Sequence, residues 1–469
     1  MTEQKEKKGL NVSAKSFITA IIVIFVLMVL TYILTFLIPG GEYARTVNEA
    51  GDTIIDTAGG FTSIQGGLPF WKWILSPFLV LGAGGSGTLI AVIAFLLIIG
   101  GVFNSLDKCG LMKYMLDKIV ARFGAKRYTL LAVVSLFFMA LGSFIGSFEE
   151  CVPLVPIVVA LSVNLGWDAL TGMGMSLLAV GCGFAAGICN PFTVGVAQKL
   201  SGLPMFSGMW FRAVGFVLIY ALLLAFLRFH AKRVEKPLNT EVAANSFQKS
   251  KKMDTALWLF VGILGAGILL VLSSVVITAL QDYTMIIVAL MFLVGGVVAS
   301  LAAGIGGKGL GSTFLNGLVS MLPGVLMILM AGSIKYTLEE AHILDTILHS
   351  AVGLTATMPK ALVILFIYLI ALVMNFFISS GSAKAFLLMP LIVPMAQIFG
   401  IPAQLCVMAY AFGDGFSNVF YPTNPVLLIS LGLADVDYGT WAKWSWKFQG
   451  LNLILTSGML LLGLAIHYC

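Results

Sequence analysis

Long apolar segments alternate with short polar ones along nearly the whole chain. Several windows contain about 20 apolar residues, the length that a helix needs to cross the hydrocarbon core of a bilayer. The segments predicted to cross are 17–38, 87–107, 168–203, 208–229, 256–280, 283–303, 312–333, 402–433 and 448–467. The pattern therefore predicts an all-α polytopic membrane protein with nine crossings.

Two further apolar stretches carry prolines or polar residues and are expected to turn back within the membrane. Segment 151–165 holds two prolines and is too short to span, so residues 127–165 are predicted to form a re-entrant hairpin with its tip at 146–150. A second, opposed hairpin is predicted over 358–399, with its tip at 379–383. Polar backbone at membrane depth is tolerated only where protein or a cavity covers it. Both tips are therefore expected inside the protein.

The chain contains two Asn-Pro dipeptides, Asn190-Pro191 and Asn424-Pro425, which are 234 positions apart. Each lies within a predicted crossing and follows the Gly-Ser of a hairpin tip by 44 or 43 residues. Proline lacks a backbone donor, so each dipeptide is expected to interrupt its helix. Matching interruptions in two halves of a chain indicate the substrate site of a secondary transporter.

Charge placement gives an orientation. The lysine-rich tail and the basic loop after residue 229 are predicted in the cytoplasm, whereas loop 39–70, with four acidic residues and only Arg45, is predicted outside. The predicted organisation is a cytoplasmic tail at 1–16, a first repeat at 17–229, a basic cytoplasmic linker at 230–255, a linking helix at 256–280 and a second repeat at 283–469. The two repeats then have inverted topology, and the carboxyl terminus is external.

Composition supports the membrane class and argues against others. The chain is 59% hydrophobic and 10% charged, whereas soluble domains average about 25% charged residues. The net charge of +6 comes from short loops between apolar segments and does not indicate nucleic-acid binding. The six cysteines are scattered without CxxC spacing, which argues against a zinc site or a disulfide framework.

A few ionisable residues fall at predicted membrane depth, where they usually face a cavity or a partner. Glu149 and Glu150 lie at the first tip, and Lys384 follows the second tip 234 positions after Glu150. Three arrangements are open: a direct Glu–Lys pair in an empty site, a clamp with opposite charges on two sides of a substrate, or a Lys384 that snorkels to the outer surface. Asp414 is a candidate for cation or proton coupling, or accepts backbone hydrogen bonds near the second break. Arg212 is expected to anchor at the membrane interface.

These patterns define the candidate site. The predicted substrate-binding residues are Ser147, Glu149, Glu150, Asn190, Pro191, Thr193, Ser379, Ser380, Gly381, Ser382, Lys384, Thr423 and Asn424. The predicted ion-coupling residues are Glu149, Glu150, Asp414 and Asn418, with Na⁺ held near the backbone of Asn190 and Asn424. No cofactor is expected other than Na⁺ or H⁺ as a coupling ion.

Four motifs resemble those of the YfcC-type members of the four-carbon dicarboxylate anaerobic carrier family, within the ion transporter superfamily. They are GSFEECVPLVPIVVAL, CNPFTVGVAQKLSGLPMFSG, NFFISSGSAKAFLLMPLIVPMAQ and FGDGFSNVFYPTNPVLL. The resemblance implies a homodimeric elevator-type carrier of the bacterial inner membrane, with a scaffold and a mobile part. Related divalent-anion symporters bind Na⁺ and carboxylates with Ser-Asn-Thr motifs, from which residues 147–150 and 379–382 depart.

The leading hypothesis is a secondary active transporter of a basic or zwitterionic amino acid, such as arginine or ornithine, because an acidic tip would repel a dianion. The alternative is a carrier of dicarboxylates or short-chain carboxylates that uses Lys384 and helix N-termini, coupled to Na⁺ or H⁺. An intramembrane enzyme is not favoured, since the apolar segments contain no HExxH or GxSxG motif. Hairpins from opposite faces favour alternating access over a channel.

Overall fold

The computed structural model describes residues 14–47, 53–55, 60–83, 86–123, 126–146, 148–204, 206–237, 249–273, 283–354 and 358–468. The candidate Ser147, most of the predicted cytoplasmic tail and the middle of the basic linker lie outside these residues. The side chains of Glu149, Glu150 and Pro191 also lie outside the described part of the structure.

The described residues of the first half of the chain form ten α-helices. They are α1 (Ala14–Leu37), α2 (Phe70–Leu79), α3 (Ser86–Lys108), α4 (Leu111–Phe123), α5 (Arg127–Ala140), α6 (Val155–Asn164), α7 (Ala169–Met173), α8 (Ala179–Ala186), α9 (Val196–Leu200) and α10 (Met209–Val234). Short 3₁₀ or π-helical turns extend several of them, at Val80–Gly82, Leu141–Ile145, Glu149–Leu154, Gly174–Leu178 and Pro191–Gly195.

The second half contributes ten more helices among the described residues. They are α11 (Lys251–Ser273), α12 (Thr284–Ala302), α13 (Gly307–Ser320), α14 (Leu322–Glu340), α15 (Leu344–Gly353), α16 (Lys360–Phe377), α17 (Gly381–Ile398), α18 (Ala403–Asn418), α19 (Pro425–Leu433) and α20 (Tyr438–Ala465). Helix α14 runs about two turns beyond the predicted end at residue 333.

Side-chain caps mark several helix starts. The carboxylate of Asp168 accepts a hydrogen bond from the Thr171 N–H before α7, and that of Asp437 accepts one from the Thr440 N–H before α20. Such caps satisfy backbone donors that the first helical turn leaves unpaired.

The all-α prediction misses four short strands in the region predicted to lie outside. Strands β1 (Gly40–Tyr43) and β4 (Phe61–Ile64) form one antiparallel pair, and β2 (Arg45–Val47) and β3 (Thr53–Ile55) form another. Strands of three or four residues are too short to show the period-two hydrophobic pattern by which a strand is recognised in a sequence.

Within the described residues, eight helical segments are long and apolar enough to cross a bilayer. They are Leu89–Lys108, Arg127–Ile145, Ala169–Ala186, Met209–Val234, Gly307–Glu340, Lys360–Phe377, Gly381–Ile398 and Tyr438–Ala465. The protein is thus a multi-pass helical membrane protein. The set differs from the nine predicted crossings: it includes one arm of the first predicted hairpin and both arms of the second, and among the described residues it lacks the predicted crossings 17–38, 256–280, 283–303 and 402–433. Each arm of the second hairpin has 18 residues and measures about 27 Å.

The apolar side chains form two separate buried clusters. The larger one joins α5–α10 with α14–α20, and the smaller one joins α3, α4, α11 and α12. Helices α8 and α18 lie within the larger cluster, and every residue of α8 and every residue of α18 after Ala403 is buried. The two predicted breaks follow directly after these two helices.

Candidate functional site

The first break separates α8 from the π-helical turn at Pro191–Gly195. Gly187 adopts a left-handed conformation (φ 34°, ψ 62°), which favours glycine and ends α8. Residues 188–190 are not helical, and helical structure resumes at Pro191. The buried side chain of Asn190 accepts a hydrogen bond from the Thr193 N–H at 3.3 Å through Oδ1. The Asn-Pro therefore lies at the start of a helical segment, where proline costs no hydrogen bond.

The second break separates α18 from α19. Residues 419–424 form turns, after which the side chain of Asn424 caps α19 by accepting a hydrogen bond from the Val426 N–H at 2.9 Å. The amide of Asn424 donates to Asn418 Oδ1 at 2.8 Å. The two ends of this break are thus joined by their own asparagine side chains.

The segment predicted as the first tip lies against the first break. Gly146 has φ 78°, and a Cβ added there would lie 2.3 Å from Asn190 Oδ1. Ser143 Oγ accepts a hydrogen bond from the Ile188 N–H at 3.0 Å, and the Ser143 carbonyl accepts one from the Cys189 N–H at 3.2 Å. Backbone donors of the first break are therefore satisfied by Ser143, in the helical turn that leads into this tip.

The second tip reaches both halves of the chain. A Cβ added to Gly381 would lie 2.5 Å from Thr193 Cγ2 and 2.7 Å from Asp414 Oδ2. The Tyr410 hydroxyl donates a hydrogen bond to the Gly381 carbonyl. Gly381 is thus the point at which α17, the segment after the first break and α18 meet.

Helices α8 and α18 cross in close contact at glycines. A Cβ on Gly415 would lie 2.1 Å from Ala185 N, and one on Gly181 would lie 2.6 Å from Val419 Cγ1. A shift of 234 positions turns Gly181 into Gly415 and Ala185 into Val419. The crossing is therefore reciprocal. Gly181 lies against Val419, and the corresponding Gly415 lies against Ala185, the residue that corresponds to Val419.

A salt bridge lies beside this crossing and is fully buried. Lys384 Nζ in the first turn of α17 lies 2.5 Å from Asp414 Oδ1 in α18, and both side chains have no exposed surface. The ammonium also donates to Asn375 Oδ1 and lies 5.6 Å from the centre of the Tyr410 ring. Buried charges need this degree of pairing and hydrogen bonding to offset their loss of hydration.

The partners of the pair are themselves held by a polar network. Asn375 Nδ2 donates to Ser417 Oγ at 2.6 Å and to Asn418 Oδ1 at 3.0 Å, and Asn418 Nδ2 donates to Asp414 Oδ1 at 3.3 Å. Through Asn418 the network continues to Asn424 in the second break. The ion pair and the break therefore form one connected polar unit.

Several buried polar atoms near the breaks have no hydrogen-bond partner among the described residues. They are Asp414 Oδ2, Thr193 Oγ1 and Thr423 Oγ1. Buried polar atoms are normally paired, so a group of unpaired ones calls for an explanation. Two of the three, those of Asp414 and Thr193, belong to residues that approach the Gly381 backbone.

The structure corrects the snorkelling alternative for Lys384, because this side chain is buried rather than at the outer surface. Its anionic partner among the described residues is Asp414. The direct pairing with a glutamate of the first tip stays a prediction, because the side chains of Glu149 and Glu150 lie outside the described part of the structure. Of the serines at the second tip, Ser379 and Ser382 are half-buried and Ser380 is exposed; Ser380 caps α17 through the Ala383 N–H.

Arg212 is not the interfacial anchor that its position predicts, because only 1% of it is exposed. Its Nη2 donates to the Ile188 carbonyl at 3.1 Å, and its Nη1 donates to the Tyr468 hydroxyl at 3.2 Å. The guanidinium thus satisfies a carbonyl in the first break, a role that charge position alone does not reveal.

Asn375 and Tyr410 are site residues that the sequence analysis missed. Asn375 is an asparagine in the apolar run of α16, and polar side chains in such runs usually serve packing or function. That signal was available in the sequence. The contact of Tyr410 with Gly381 depends on tertiary packing and has no local signal.

A cavity of about 670 Å³ borders the second tip and the segment of β1 and β2 that is predicted to lie outside the cell; it is called the outer cavity. Ile378, Ala383 and Phe386 form one wall. Its charged groups pair with one another: Arg45 with Asp345 at 3.0 Å, Lys335 with Glu339 at 3.2 Å and His342 with Glu42 at 2.5 Å. Ala383 borders the cavity while the next residue, Lys384, is buried. The tip thus separates the cavity from the ion pair.

Comparison with known proteins gives a family. The sequence model of the C4-dicarboxylate anaerobic carrier family matches residues 17–465. A protein of Escherichia coli (strain K12), named "Putative basic amino acid antiporter YfcC", is 30% identical over 407 residues, which are 81% of this chain and 79% of that protein. An uncharacterised protein of Haemophilus influenzae is 23% identical over an alignment of 516 positions that covers all of both chains.

Two solved structures align with most of the chain at low identity. The YdaH transporter of Alcanivorax borkumensis aligns with a TM-score of 0.44 and 19% identity, over 96% of this chain and 98% of that one. MtrF of Neisseria gonorrhoeae, described among antimetabolite efflux pumps, aligns with a TM-score of 0.45 and 16% identity, over 95% of each chain.

Proposed function

Because the chain belongs to the C4-dicarboxylate anaerobic carrier family, a family of membrane transporters, we propose that it is a secondary active transporter of a small charged metabolite. The favoured substrate is a basic or zwitterionic amino acid. Transport proceeds by antiport or with a coupling cation, and no catalysed reaction is involved.

The buried Lys384–Asp414 pair is the observation that carries this proposal. It lies where the second tip, the first break and α18 meet, the position at which transporters built from repeats place their substrates. A site that contains both signs of charge suits a ligand that contains both signs. The E. coli relative named as a basic amino acid antiporter points to the same class of substrate.

We propose that the site moves as a unit by an elevator mechanism. The reciprocal crossing of α8 and α18 supports two inverted repeats, since a two-fold relation makes such contacts occur in matched pairs. The larger apolar cluster would form the mobile part, and the smaller cluster around α3, α11 and α12 would belong to the scaffold and to a homodimer interface. Large exposed apolar side chains on α11 and α12 suit lipid or a partner subunit.

The proposed orientation has the amino terminus in the cytoplasm and the carboxyl terminus outside the bacterial inner membrane. It can be tested by labelling single cysteines in intact cells with a membrane-impermeant reagent. A cysteine at Ser63 in β4 should react, and one at Lys126 before α5 should react only after the cells are opened. The reverse pattern would overturn this orientation.

A carrier of C4-dicarboxylates or short-chain carboxylates is the second candidate. The family description favours it, and Lys384 in the first turn of α17 places a cation beside backbone N–H groups that attract anions. Coupling would use Na⁺ or H⁺. Asp414 Oδ2 and Thr193 Oγ1 are oxygens of the kind that bind Na⁺, whereas no group of three His, Cys, Asp or Glu in the described residues could hold a metal.

Counterflow in proteoliposomes decides between the two candidates. Vesicles loaded with unlabelled ornithine should accumulate labelled arginine, and added lysine should compete. Succinate and fumarate should neither enter nor compete. Uptake of succinate without any response to arginine, ornithine or lysine would contradict the amino-acid proposal and favour the second candidate. Vesicles without protein provide the control.

A further inference from the structure

The ion pair contains the same two charged groups as the head group of an α-amino acid. Lys384 contributes one ammonium and Asp414 one carboxylate, and no third charged group lies in contact with them among the described residues. The head group of an α-amino acid likewise contains one ammonium and one carboxylate. Binding it beside the pair would add no net charge to a buried site, whereas a polyamine or a dicarboxylate would add two like charges.

Each member of the pair has what it needs to take a new partner. Lys384 is also held by Asn375 Oδ1 and by the face of the Tyr410 ring, so its ammonium keeps favourable contacts when Asp414 is withdrawn. Asp414 has an unpaired Oδ2, which is buried and lies close to Gly381 and to the side chain of Thr193. The unpaired Thr193 Oγ1 is a second acceptor for an ammonium from the same direction.

We propose that the Lys384–Asp414 salt bridge is the receptor for an α-amino-acid head group. The substrate α-carboxylate binds Lys384, and the substrate α-ammonium replaces Lys384 on Asp414. One internal salt bridge is exchanged for two salt bridges to the ligand, and all charges remain paired. This inference rests on the proposed function and specifies which group of the substrate each residue binds.

The location of the pair gives the ligand a route. The second tip lies between the pair and the outer cavity, and Ala383 borders that cavity one residue before Lys384. Displacing this tip by a few ångströms would open Asp414 Oδ2 and Lys384 to the cavity together. The empty carrier keeps its two charges paired while the tip is closed, which avoids an isolated buried charge.

A set of three related ligands tests the assignment on the unmodified protein. L-Ornithine has both head-group charges, putrescine lacks the carboxylate, and 5-aminopentanoate lacks the α-ammonium. Binding of each to the detergent-purified protein is measured by calorimetry, with competition against labelled arginine uptake as a second readout. Putrescine and 5-aminopentanoate are each expected to bind at least tenfold more weakly than ornithine. Equal affinity for ornithine and putrescine would overturn the proposal.

Two variants then separate the roles. In Lys384→Met the preference for ornithine over putrescine should fall about tenfold, while in Asp414→Asn the preference for ornithine over 5-aminopentanoate should fall. Lys447→Met, a change at an exposed lysine on α20, is the matched control and should leave both ratios unaltered. An unaltered ratio in folded Lys384→Met protein would overturn the role of this lysine.

The ligand series also separates this inference from the proposed function. If arginine, ornithine and lysine bind and are transported but putrescine binds as well as ornithine, the head-group assignment fails and the proposed function stands. If none of these amino acids binds or enters, both fail. Because the series uses the unmodified protein, the test does not depend on the folding of any variant.

Discussion

Lys384 in the first turn of α17 forms a fully buried salt bridge with Asp414 in the fourth turn of α18, with Nζ 2.5 Å from Oδ1. The pair joins the second tip to the helix that leads into the second break. Helix α17 also packs against α9, which follows the first break. The salt bridge thus lies within the second half of the chain, and the packing of α17 against α9 connects it to the first half.

Removing one member of this pair should destabilise the protein much more than removing both. Lys384→Met and Asp414→Asn each leave an uncompensated buried charge, at an expected cost of about 3–5 kcal/mol in the free energy of unfolding. The double variant leaves no charge and should recover most of that loss. Chemical denaturation in detergent micelles measures all three. Additive losses in the double variant would contradict a direct pair.

The crossing of α8 and α18 should tolerate no side chain at Gly415. Gly415→Ala places a Cβ 2.1 Å from the Ala185 backbone, which cannot move without separating α8 from α18. Overpacking of this kind costs about 1–3 kcal/mol or more, and transport should be lost. Gly450→Ala on α20 is the control, because a Cβ there meets nothing within 4 Å. Thermal midpoints and arginine counterflow of the two variants provide the comparison.

Arg212→Met should weaken the first break. It removes two hydrogen bonds to the Ile188 carbonyl and leaves that acceptor unpaired in a buried position, at an expected cost of about 1–3 kcal/mol. Tyr468→Phe keeps the guanidinium and removes only the hydroxyl, so its effect should be smaller. Hydrogen exchange of the 186–195 backbone, followed by mass spectrometry, should show faster exchange in Arg212→Met than in Tyr468→Phe.

The cap of α20 should contribute stability that depends on pH. Hydrogen bonds from the Thr440 hydroxyl and N–H lower the pKa of the Asp437 carboxyl, so the folded state favours the ionised form. The contribution is therefore present above the unfolded pKa of about 3.9 and is lost as the pH falls through the lower folded value.

Asp437→Ala should accordingly cost about 1 kcal/mol at pH 7 and progressively less below pH 4. Asp437→Asn keeps a capping oxygen without the charge and provides the control, which should show a small loss at pH 7. The free energy of unfolding, measured between pH 3 and pH 7, checks both. An equal loss for Asp437→Ala at pH 3 and pH 7 would contradict the role of the charge.

Sequence reasoning reached the helical membrane class and the family because both depend on long-range regularities: runs of about 20 apolar residues and four extended motifs. It also identified Lys384 and Asp414 separately, since charge in an apolar run is conspicuous. It did not pair them, because the 29 residues between them include the turn between α17 and α18, and the approach of these helices is set by packing.

Other site features have no signal in the local sequence. The reciprocal contacts of Gly181 with Val419 and of Gly415 with Ala185 depend on how α8 and α18 cross, which no local pattern predicts. Arg212 was placed at an interface because arginine near a helix end usually snorkels. Arg212 is buried because its guanidinium donates to the Ile188 carbonyl, which lies in the first break 24 residues earlier and has no helical partner among the described residues. The residues next to Arg212 in the sequence do not reveal that this carbonyl needs a donor.

The contact between Arg212 and Tyr468 has a consequence for how the protein is made. The first break is synthesised roughly 280 residues before Tyr468, yet the Arg212 guanidinium that contacts this break also donates a hydrogen bond to the Tyr468 hydroxyl. The Tyr468 hydroxyl in turn donates to the Gly208 carbonyl at 2.6 Å. The hydrogen bond from Arg212 to Tyr468 therefore cannot form until translation has passed α20. The hydrogen bonds from Arg212 to the Ile188 carbonyl need only the first half of the chain, so the contact with Tyr468 is the last of this set that translation makes possible.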